Sequence, residues 1–131
     1  MGDRTGRILV VDGDRRVRTA LRALACAAGH DVIVEAADVA EARRAVADDA
    51  PVVAVVEPIL PTLPEGCALV RDLAASGIAV LALSVRPAAR PATRAAGATA
   101  FLTKDCTPEQ LLGGIDRLLG DSTTQIGAPG A

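Results

Sequence analysis

The 131-residue chain has one lysine, one histidine and one aromatic residue, so the few side chains able to do distinctive chemistry are easy to place. Thirteen of its fourteen cationic residues are arginine, and the exception is Lys104. Cys26, Cys67 and Cys106 are odd in number and lack both C-x-x-C spacing and histidine partners, which argues against a disulfide framework or a zinc site and for reduced thiols. The lone His30 follows Gly29 just before an apolar run and reads as a turn residue. What remains is oxygen chemistry. It consists of an acidic turn, Asp12-Gly13-Asp14, a carboxylate at Glu57, a hydroxyl at Ser84 and the Lys104-Asp105 pair, each directly after a short apolar run.

The elements that must position these groups follow from the hydrophobic pattern. Arg7 to Val11 (RILVV), Val32 to Val34, Val52 to Val56, Ile78 to Leu83 and Ala98 to Thr103 are short, nearly continuous apolar runs, as strands covered on both faces should be. Between them, apolar residues recur at helical spacing: Val17, Leu21, Leu24 and Ala28 ahead of a stop at Gly29, then Val39, Ala42 and Val46 after an Asp38/Glu41 capping box. Gly66 precedes a stretch with Leu69, Val70 and Leu73 that stops at Gly77. Val85 to Gly97, with two prolines, leaves room for only a turn or two of helix from near Pro91. Thr107-Pro108-Glu109-Gln110 opens a last helix carrying Leu111, Ile115 and Leu118. After Gly120 the apolar period ends, so residues 1–120 read as one domain and residues 121–131 as a flexible tail or the start of a linker.

Strands alternating with helices predict an α/β fold, a doubly wound five-stranded parallel sheet with about five helices in a three-layer, flavodoxin-like sandwich. In such sheets a site forms outside the carboxyl ends of the strands, which is where Asp12, Asp14, Glu57, Ser84 and Lys104 fall. Composition narrows the function. A net charge of −2 provides no basic field to draw the chain to nucleic acid or a membrane surface, and the chain has neither a membrane-length apolar run nor the apolar core of a signal peptide. The cytoplasm is the expected compartment. With 50% hydrophobic but 1% aromatic residues, the core must be aliphatic.

Taken in order, ILVVDGD, VVEPILP, LALSV and GATAFLTKD resemble the strand ends of a CheY-like response-regulator receiver domain, from about residue 7 to residue 119, with FLTKDCTPEQLL similar to receivers of NarL/LuxR-type regulators. That resemblance implies a phosphoacceptor position at Glu57, a phosphate-binding hydroxyl at Ser84, a lysine at Lys104 and an aromatic switch at Phe101. It places a Mg²⁺ set, degenerate here, on Asp12, Asp14, Glu57 and Ile59. Hard cations with oxygen ligands suit phosphoryl transfer because they neutralise charge on the transferred oxygens.

The departures from the family pattern bear on function. Glu57 stands where the family has aspartate, Gly13 where it has a second acid, and the branched Val85 where a small residue is common and where it is expected to crowd the phosphoryl route. One extra methylene moves the carboxylate by more than about 1 Å, a displacement that can cost on the order of a hundredfold in rate. Asp14 is expected to cap the following helix and not to rescue the metal site. The resemblance and its departures together imply a non-enzymatic, phosphorylation-independent receiver in a two-component context, with Mg²⁺ binding weak or absent and no other cofactor. It would act through a regulatory protein partner, a homodimer or a C-terminal output domain in transcription control, without binding nucleic acid or membrane itself. Glu57 is then either a mimic of the phosphorylated residue or half of a structural ion pair in a decayed site. The alternatives are a conventional Mg²⁺-dependent receiver and a flavodoxin-like redox protein. The second is disfavoured by the acidic first turn and the absence of Trp and Tyr.

Overall fold

Five parallel strands alternate with five helices in the computed structural model, which describes residues 6–127, with backbone alone for Ile33 and residues 121–127. In chain order these are β1 (Arg7–Val11), α1 (Arg15–Ala27), β2 (Asp31–Ala36), α2 (Val39–Asp48), β3 (Val53–Val56), α3 (Leu63–Ala75), β4 (Ala79–Ser84), α4 (Arg90–Ala96) after a 3-10 turn at Pro87–Ala89, β5 (Ala100–Thr103) and α5 (Pro108–Gly127). The strand order is β2-β1-β3-β4-β5, all parallel, so the order reverses between β1 and β3. This is the doubly wound α/β sheet that the apolar runs predict.

Alternation along each strand divides the core in two. Leu9, Val11, Val56, Val80 and Phe101 pack with Leu69, Val70 and Leu73 of α3 on one face. Ile8, Val10, Val55, Leu81 and Leu83 pack with Leu21 of α1 and Leu111 and Ile115 of α5 on the other. Both faces of the central strands are therefore closed to water. Their side chains are 0–2% exposed in β3, and each fully buried aliphatic side chain contributes roughly 1.5–3 kcal/mol. A rigid, dry sheet is what holds the polar residues at its carboxyl edge in register.

Local signals act as expected at most helix ends. Gly29 and Gly77 take φ of 90° and 84° just beyond α1 and α3, the left-handed conformation that suits glycine after a helix. Thr107 and Gln110 satisfy each other's backbone N–H groups at 3.1 and 2.9 Å. Two boundaries differ from the sequence reading. α3 starts at Leu63, ahead of Gly66, because Thr62 caps it, Pro64 sits in its first turn and Glu65 completes the cap. Gly66 lies inside the helix because a Cβ there would overlap the Pro58 carbonyl. Gly66→Ala is accordingly expected to lose about 1–3 kcal/mol, read as a lower denaturant midpoint with unchanged m; a neutral substitution would show that the β3–α3 connection is loose. The backbone of α5 also runs past Gly120 to Gly127, since a single glycine costs a helix only about 1 kcal/mol and no proline intervenes before Pro129. The remainder of the sequence-read tail, residues 128–131, lies outside the described residues.

Candidate functional site

Asp12, Glu57, Ser84 and Lys104 stand at the carboxyl ends of β1, β3, β4 and β5, and backbone bonds that prolong the sheet hold three of them. Asp12 N–H donates to Ala36 O (3.0 Å), Glu57 N–H to Val11 O (2.9 Å) and Lys104 N–H to Ser84 O (2.9 Å). The side chains converge. Lys104 Nζ lies 2.7 Å from Asp12 Oδ2 and 2.9 Å from Glu57 Oε1. Asp12 Oδ1 accepts Asp14 N–H at 2.8 Å and Glu57 Oε2 accepts Ile59 N–H at 3.0 Å, so all four carboxylate oxygens have partners.

Asp12 and Glu57 are buried and the Lys104 side chain is 18% exposed. Burial by itself disfavours the ammonium, but its hydrogen bonds and charge interactions with Asp12 and Glu57 outweigh that and hold its pKa above the usual lysine value of 10.5. A raised folded-state pKa means that the stabilisation is fully present below 10.5 and is lost as pH rises through the folded value. As pH rises above 10.5 the wild-type chain is therefore expected to lose stability more steeply than Lys104→Met in urea titrations. Parallel pH profiles would mean that the ion pairs contribute nothing.

The ammonium lies between the two buried carboxylates, so a hard cation seeking the same oxygen ligands would have to compete with it. Gly13 is exposed and has no side chain to offer. Asp14, the remaining acid of the turn, caps α1 through Arg16 N–H at 2.9 Å and pairs with the Arg16 side chain, whose hydrogen bonds lower its pKa. Ile59 contributes its N–H to Glu57. Among the described residues no group of three or more Asp, Glu, His or Cys could hold a metal.

Ser84 is fully buried, and its Oγ accepts Arg86 N–H at 3.2 Å, closing a turn. Val85 is 67% exposed and lines an open cavity with Pro87, Thr103, Lys104 and Asp105, which places its branched side chain on the solvent side of Lys104. Phe101 is buried against the α3 side of the sheet. The helix after β4 is short, seven residues from Arg90.

Two polar links carry no sequence signal, the first at the site and the second at the opposite, amino edge of the sheet. Arg18 donates to the Asp12 carbonyl at 2.8 Å and reaches Glu35 at 3.5 Å, tying the acidic turn to β2. His30, buried, bonds Asp116 of α5 through Nε2 at 2.8 Å while its Nδ1 has no partner. It joins elements 86 residues apart and is more than a turn residue.

This fold and site belong to a known class, a parallel α/β domain with an acid–lysine cluster at its carboxyl edge. The family model for the response regulator receiver domain matches residues 8–116, and the chain belongs to that family, whose members serve two-component signalling. It is 36% identical over 126 residues to the response regulator MprA of Mycolicibacterium vanbaalenii, covering 93% of this chain but 54% of that protein, so it spans about half that relative's length. A two-component response regulator of the LuxR family from Aurantimonas sp. superposes with a TM-score of 0.81 at 30% identity, over 89% of this chain and 86% of that one. A CheY-like receiver from Methanospirillum hungatei gives 0.83 at 22% identity, over 92% and 98%. Among the described residues no helix is long and apolar enough to cross a membrane.

Proposed function

We propose that this receiver works without an aspartyl-phosphate cycle and is not an enzyme. Its two buried carboxylates are bridged by its own lysine. The observation that carries this reading is the Lys104 ammonium bonded to both Asp12 and Glu57 at 2.7 and 2.9 Å, the place where a metal and a phosphoryl group would have to enter. Glu57 supports it by chemistry. Its carboxylate is one methylene further from the backbone than an aspartate's, and both of its oxygens are engaged. Gly13 supports it by removing a metal ligand, so no Mg²⁺ cofactor is required.

Signalling would then pass through protein contacts. A partner, or an output domain that follows the receiver in the full-length protein, would read the surface that the Lys104 cluster stabilises. The MprA relative is nearly twice as long as the matched region, which favours an attached output domain and a role in transcription. The direct test is incubation with acetyl phosphate and Mg²⁺, followed by intact-mass measurement. No phosphoryl adduct is expected, and a stoichiometric adduct on Glu57 would overturn the proposal.

A further inference from the structure

α1 and α5 lie side by side on one face of the sheet, and a cleft of about 490 Å³ opens between them next to the carboxyl edge. Val17, Leu21 and Leu24 of α1 form one wall, Pro108 and Leu111 of α5 the other, and Leu83 of β4 the floor. Its volume falls among those of small-molecule sites, about 300–1,000 Å³, which are mostly apolar with a few polar groups that fix orientation. Here the polar groups stand together at the carboxyl end. Asp14 and Arg16 already pair with each other, and Lys104 Nζ is held by Asp12 and Glu57. The other two are neutral. Burial, helped by Asp105, pushes the Cys106 thiol up, and the Thr107 hydroxyl accepts Gln110 N–H while keeping its own hydrogen to donate.

We infer that this cleft binds a small, neutral, largely aliphatic molecule with an oxygen acceptor at one end, its chain laid between α1 and α5. The apolar walls take the chain out of water, and the Thr107 hydroxyl donates to the oxygen. A charged head fits poorly, because the carboxylate, guanidinium and ammonium at the rim are already compensated and present it with both signs. An aromatic ligand finds no ring to stack on, since Phe101 packs on the opposite face of the sheet. An inorganic ion makes no use of the apolar walls. Lys104 lines the inner end, with its side chain 18% exposed, so an occupant covers the wet side of the ammonium. That couples the cleft to the Asp12–Glu57–Lys104 cluster and supplies an input that needs no phosphoryl group. The inference holds whether or not Glu57 accepts phosphate, and its test is read on cleft residues away from the two carboxylates.

The test is an amide NMR titration of the 131-residue chain with 1-octanol, alongside 1-hexanol, octanoate and octylammonium. Saturable shifts centred on Ala20, Leu24, Thr107 and Leu111 are expected with octanol. Hexanol, two methylenes shorter, is expected to bind on the order of tenfold more weakly, since each buried methylene accounts for roughly a fourfold factor. Both charged analogues are expected to bind more weakly than octanol, because their heads lose water without gaining a partner. Ala20→Glu puts a charge on the α1 wall at an exposed position where the fold should survive, and is expected to weaken octanol at least about tenfold. Thr19→Glu, also exposed on α1 but outside the cleft, is expected to leave it unchanged. Absence of saturable shifts, equal binding of hexanol and octanol, undiminished binding by folded Ala20→Glu, or tighter binding of either charged analogue at the same residues would overturn the inference. So would sedimentation showing a wild-type dimer that Ala20→Glu abolishes, which would make a second copy the occupant.

Discussion

Lys104→Met is expected to cost about 3 kcal/mol at neutral pH, because removing one member of a buried ionic cluster leaves uncompensated charge, here on both Asp12 and Glu57. The same substitution vacates the position of a cation between two buried carboxylates. Millimolar Mg²⁺ is therefore expected to recover roughly 1 kcal/mol of the loss in the variant, through ligand-linked stabilisation, and to leave the wild type unchanged. Thermal melts with and without the ion measure both effects. A wild type stabilised by Mg²⁺ as much as the variant would mean that the lysine yields its place readily, and the self-contained site would have to be abandoned.

The second large effect is a gain. Gly13→Asp with Glu57→Asp restores the acid pair and the shorter acceptor carboxylate of the receiver pattern that this sequence resembles. The substitution at Gly13 has room: a Cβ there meets Ala37 O at 3.7 Å and Leu60 Cδ1 at 3.8 Å, ordinary contact distances. At position 57 the lost methylene withdraws the carboxylate from Lys104 and opens the centre of the site. The double variant is expected to take a phosphoryl group from acetyl phosphate with Mg²⁺ at least about a hundredfold faster than the wild type, the scale of rate lost to misplacement by about 1 Å. Equal rates, with both proteins folded, would show that these two departures do not set the chemistry.

Much of this is legible in the chain. Apolar runs of three to six residues locate the strands, Gly29 and Gly77 locate two helix ends, and Thr107 with Gln110 opens the last helix, because each is a local signal with a local cause. The convergence of Asp12, Glu57 and Lys104 follows from the fold, since parallel strands deliver all their carboxyl ends to one edge. What is not legible depends on distance or close approach. Gly66 reads as a helix-preceding glycine, whereas it lies within α3 to let the helix pass the Pro58 carbonyl. His30 meets Asp116 only because α5 packs back beside α1. The solvent exposure of Val85 follows from the turn that Ser84 closes on Arg86, which its residue type does not report.

The measurement that bears most directly on the central claim is an amide NMR titration of the wild-type chain with Mg²⁺ and then with Mg²⁺ plus beryllofluoride, which stands in for a phosphoryl group on a receiver carboxylate. The account predicts no saturable shifts at Asp12, Glu57, Ser84 or Lys104 and none at Phe101, because Lys104 already holds both carboxylates. Saturable shifts that begin at Glu57 and reach Phe101 would contradict it and make this a conventional phosphorylation switch.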